Sequence, residues 1–152
     1  MRKKPHPADG WMLLEDARST LLLIWMLGSG LVFAILTAQS IFGRYGDNLQ
    51  AVWSWFIPTV IPTISLMLGV LGATAMTADA DTKVVKVFFY RLSKYLSLFY
   101  LTILFLTVVL EPFTQLPAIK LYTTSNYWLG PLQGLVVGVI GVLFMSKEEG
   151  VR

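Results

Sequence analysis

Four stretches of this chain contain no Asp, Glu, Lys or Arg: residues 19–43, 48–78, 95–110 and 121–146. A helix needs about 20 mostly apolar residues to cross the hydrocarbon core of a bilayer. Three of the stretches exceed that length. The third reaches it if Arg91 and Lys94 extend their charged ends to the headgroups, as long basic side chains do. The pattern therefore predicts an all-α, polytopic integral membrane protein of four transmembrane helices, at about 20–41, 52–76, 82–110 and 128–146. No soluble domain, internal repeat or domain boundary is expected within residues 1–152. Residues 11–18 are expected to form a helix continuous with the first span.

Positive charge sets the expected orientation. Arg2, Lys3, Lys4 and Arg18 precede the first span, Lys83, Lys86, Arg91 and Lys94 lie between the second and third, and Lys147 and Arg152 follow the fourth. Only Arg44 and Lys120 fall in the other two connections. Basic residues are retained on the cytoplasmic side, so both termini and the central connection are expected there (N-in/C-in). Trp53, Trp55, Tyr127 and Trp128 would then mark the outer boundary, and Trp11, Tyr90 and Tyr95 the inner one, where amphipathic rings favour the headgroup level. A cleaved leader is not expected, because the first apolar run is longer than a signal core and acidic residues separate it from the basic start.

Composition narrows the chemistry. Hydrophobic residues make up 55% of the chain and charged residues 14%, against about 25% charged in a soluble domain. There is no cysteine, and His6 in the N-terminal tail is the only histidine. Thiolate chemistry and histidine-bound metal or haem within the spans are thereby excluded. No phosphate loop, paired carboxylates or serine–histidine set is present, so no enzyme activity, catalytic residue or cofactor is expected. A scattered net charge of +3 argues against nucleic acid as a partner. Small size, absent cysteine and absent N-glycosylation acceptors suggest a bacterial inner membrane.

Four groups of residues are candidates for function. Gly130, Gly134, Gly138 and Gly141 share one side of the fourth helix, and Gly30, Ala34 and Ala38 form a milder version on the first. Small residues let backbones approach closely, either within the chain or between copies. Pro58 and Pro62 each remove a backbone donor and predict a kink in the second helix. Ser93, Ser97, Tyr100, Thr107 and Glu111 recur at helical spacing on the third, and Gln133 lies within the fourth. These residues either hydrogen-bond between helices or line a polar pathway. Arg44 and Lys120 are the expected partners of Glu111 should its carboxylate be buried. Lastly, Lys83, Lys86, Arg91 and Lys94 offer a surface to anionic lipid or to a cytoplasmic protein, with Asp81 as the expected N-cap.

The leading expectation is a non-catalytic protein that self-associates into a homo-oligomer, forming a channel or pore. A membrane anchoring subunit that presents its cytoplasmic segments to a partner complex is the alternative. A small-solute transporter working through Glu111 is the third.

Overall fold

The computed structural model describes residues 10–75 and 84–145. Two short strands, β1 (Trp11–Leu13) and β2 (Val84–Lys86), accompany four long helices: α1 (Leu14–Ile41), α2 (Leu49–Ala75), α3 (Val87–Leu110) and α4 (Ala118–Met145). All four helices are long and apolar enough to span a membrane. Residues 76, 81–83 and 146, at the expected ends of helices two, three and four, lie outside the described residues. The expected Asp81 cap and Lys83 are among them.

Each helix turns one stripe inward at spacings of three and four. On α1 the buried positions are Leu14, Ala17, Arg18, Leu21, Trp25, Ser29, Val32 and Leu36. On α3 they are Ser93, Ser97, Tyr100, Leu104 and Val108. Tyr122, Ser125, Leu129, Val136, Ile140 and Leu143 play the same part on α4. That spacing is the knobs-into-holes seam of a helix bundle. α3 packs between α1 and α4, α4 between α3 and α2, and α1 closes the ring against α2. Lipid tails are as apolar as leucine, so the bundle coheres through close packing and interhelical hydrogen bonds.

The connections differ from the sequence expectation at three places. Residues 11–18 are not one helix: Trp11–Leu13 is extended and pairs antiparallel with Val84–Lys86, Met12 lying opposite Val85. The Val87 amide donates to the Gly10 carbonyl at 3.0 Å, extending the pairing by one bond. The third helix accordingly starts at Val87 and not at residue 82, because Val84 and Val85 spend their backbone groups on this ladder. The fourth helix starts ten residues before the expected position, at Ala118. Pro117 precedes it, and its carbonyl accepts from the amides of Lys120 and Leu121. Tyr127, 83% exposed, and Trp128 therefore lie well inside this helix instead of marking its start.

At the opposite end from the sheet, α1 stops at a turn in which Gly43 and Gly46 adopt φ of 70° and 48°. Only glycine takes that backbone conformation without steric cost. The turn projects Arg44 and Tyr45 back over the bundle.

Candidate functional site

Pro58 and Pro62 both lie inside α2. A proline at position 62 has no N–H for the carbonyl four residues earlier, which is that of Pro58. An unpaired carbonyl in hydrocarbon costs several kcal/mol. Gln133 of α4 answers this, its Nε2 donating to the Pro58 carbonyl at 3.0 Å and to that of Thr59 at 3.2 Å. Tyr100 of α3 donates its hydroxyl to the same Thr59 carbonyl at 2.8 Å. Thr59 itself donates to the carbonyls of Trp55 and Phe56 at 2.8 and 2.6 Å. One loosened segment of α2 is thus clasped by side chains from two other helices.

The belt continues into α1. Tyr100 stacks on Trp25 with centroids 5.6 Å apart, and Trp25 Nε1 donates to Ser97 Oγ at 3.1 Å. Ser93 and Thr107 donate to the carbonyls of Phe89 and Ile103, each one turn back on α3. The stripe from Ser93 to Tyr100 is therefore part of the bundle core, its hydroxyls engaged within the chain.

A second polar cluster closes the end away from the sheet. Glu111, in a short 3₁₀ turn after α3, is only 4% exposed. Its Oε2 accepts from Arg44 Nε at 3.0 Å, and its Oε1 from Arg44 Nη2 at 3.4 Å. Of the two expected partners Arg44 takes this role, and Lys120 is exposed. The hydrogen bond and charge of Glu111 push the Arg44 pKa upward. Tyr45 donates to Gln39 Oε1 and lies 3.0 Å from the Tyr122 hydroxyl. Burial pushes the Tyr45 phenol upward, and the Tyr122 hydrogen bond only partly opposes this. Tyr122 stacks on Trp55 at 4.4 Å with ring planes 12° apart. Trp55 thus points into the core, whereas Trp53 packs against Phe33 and Phe56 and donates to Ser40 at 3.3 Å.

At the sheet end, Arg18 is buried. It donates to the Phe144 carbonyl in the last turn of α4 and lies 5.6 Å from the Phe144 ring centroid. A cation on the final carbonyls of a helix complements its dipole. The sequence reading counted Arg18 only as an orienting charge; its place on the inward stripe was the signal for more.

The two small-residue faces point away from the core. Gly130, Gly134 and Gly138 are exposed, and a Cβ added at any of them, or at Gly141, would meet nothing within 4 Å. Gly30, Ala34 and Ala38 are exposed as well. The close approach inside the chain is made by a glycine the sequence reading passed over. A Cβ on Gly28 would lie 2.8 Å from Leu101 Cδ1. The helix-four proline at 131 was also passed over; with α4 beginning at Ala118 it is internal. Lys86, Arg91 and Lys94 gather at the sheet end, Lys86 5.7 Å from the Trp11 ring and Lys94 6.0 Å from that of Tyr90. No protein-family profile, curated protein or solved structure matches this chain.

Proposed function

We propose that this chain is a non-catalytic, multi-pass membrane protein that self-associates through the small-residue faces of α4 and α1, any conducting path running between copies. The observation that carries this reading is the glycine face of α4, exposed and without an intramolecular neighbour. Four glycines cost helix stability, and among the described residues no neighbouring helix packs into the space they leave. A facing helix from another copy would, because close backbone approach is what drives association in lipid.

The same reading places both termini and the β1–β2 end in the cytoplasm, from the distribution of basic residues, in a bacterial inner membrane. A second reading is favoured by one feature, the exposed Lys86 of β2 and Arg91 of α3 at the sheet end, which this reading takes as cytoplasmic. In it the protein anchors a partner complex, and crosslinking with pull-down distinguishes it from self-association.

Mass measurement of the assembly in nanodiscs tests the main reading. Wild type is expected as an oligomer, and Gly134→Leu or Gly138→Leu as a monomer with unchanged helix content. A monomeric wild type would refute it. Planar-bilayer recording then asks whether the oligomer conducts.

A further inference from the structure

We infer that the seam between α1 and α3 binds an anionic phospholipid, its phosphate held at Lys86 and Arg91 and an acyl chain lying in the groove beside Gly28. The polar end of this site is a cavity of about 570 Å³ at the sheet, lined by Trp11, Lys86, Phe88 and Arg91 among others. Neither cation has a carboxylate within ion-pair distance among the described residues, where the one ion pair is Arg44–Glu111 at the other end of the bundle. Two unneutralised cations beside aromatic rings suit a phosphate at the headgroup level, where each adds to attraction for an anionic leaflet.

The apolar end is a groove of about 360 Å³ on the same seam, between Ile24, Gly28 and Leu31 of α1 and Leu98, Thr102 and Phe105 of α3. The missing side chain at Gly28 lets Leu101 approach α1 at the floor of this groove. Arg91, Leu98, Thr102 and Phe105 follow at intervals of seven, four and three, so they share one face of α3. At 1.5 Å rise per residue, Leu98 lies about 10 Å and Phe105 about 20 Å beyond Arg91 along the axis. One leaflet contributes about 15 Å of hydrocarbon. The separation of the two cavities is therefore that between the phosphate and the chain of one lipid. A free phosphate would occupy only the cationic end, and the aligned groove selects the lipid.

Native mass spectrometry of the purified full chain, offered phosphatidylglycerol or phosphatidylcholine, tests this. Wild type is expected to retain phosphatidylglycerol preferentially. The Lys86→Gln/Arg91→Gln double variant is expected to lose about thirtyfold in that retention, the effect of two cations at a headgroup surface. Lys120→Gln, which removes one charge at the opposite end, leaves it unchanged, and Thr102→Trp, which fills the groove, lowers it. Excess glycerol phosphate, a headgroup without chains, is expected not to displace the lipid. Equal retention of the two lipids by wild type would overturn the inference whether or not any variant folds. Displacement by glycerol phosphate would overturn it too, leaving a site for free anions. Lipid is counted per chain, so the result stands apart from whether the protein self-associates.

Discussion

Gln133 of α4 donates to the carbonyl of Pro58 on α2, and this 3.0 Å contact fills the place of the amide that Pro62 lacks. Proline and amide are one device. Replacing Gln133 with Leu leaves the Pro58 carbonyl unpaired in the bundle and is expected to cost about 1 kcal/mol, the usual scale for interhelical hydrogen bonds in membranes. The informative variant is Pro62→Ala, which restores an N–H to that carbonyl. In its background Gln133→Leu is expected to be nearly silent. Thermal unfolding of the four proteins in one detergent gives the coupling, and additive losses would show that Gln133 does not serve the kink.

The Arg44–Glu111 pair is asymmetric in exposure, with side chains 41% and 5% exposed. Removing the cation leaves a buried carboxylate without its partner, while Glu111→Gln removes the buried charge itself. Arg44→Ala is therefore expected to destabilise more than Glu111→Gln in a thermal melt, the difference being reduced by solvent screening of the exposed arginine. In a transporter working through Glu111, uptake would be pH-dependent and lost in Glu111→Gln; liposome flux measurements decide that separately from stability.

Gly28 and Gly30 are two residues apart and meet opposite fates. At Gly28 a methyl group presses on the end of the Leu101 side chain, which can swing aside, so Gly28→Ala is expected to cost less than about 1 kcal/mol. Gly28→Leu overpacks the seam and is expected to cost about 1–3 kcal/mol. Gly30→Leu points into open space and is expected to leave the stability of a single chain within about 0.5 kcal/mol of wild type. Reversal of that order in a detergent melt would contradict the α1–α3 packing.

Tyr45 has its pKa raised above 10.0 by burial. The folded state thus holds the phenol proton more tightly than the unfolded one. Its contribution to stability is present in full below pH 10 and is lost as pH rises through the higher folded value. Difference absorbance of tyrosinate between wild type and Tyr45→Phe should place this titration above that of a free tyrosine. A titration at or below the ordinary value would mean that the Tyr45 phenol is not buried in solution.

Charge-free runs were enough to count the four long apolar helices, though not to place their first residues, because crossing a bilayer is a property of one segment and its length. Helical period likewise placed Ser93, Ser97, Tyr100 and Glu111 on one face. Which way that face turns, and that the α4 glycines point outward while Gly28 packs inward, depended on how the four helices are ordered around the ring. The β1–β2 pairing, the clasp of Gln133 and Tyr100 on the carbonyls of Pro58 and Thr59, and the choice of Arg44 over Lys120 join residues distant in the chain. A hydrogen bond of that kind has no signature in either partner's neighbourhood, so only the tertiary structure could decide it.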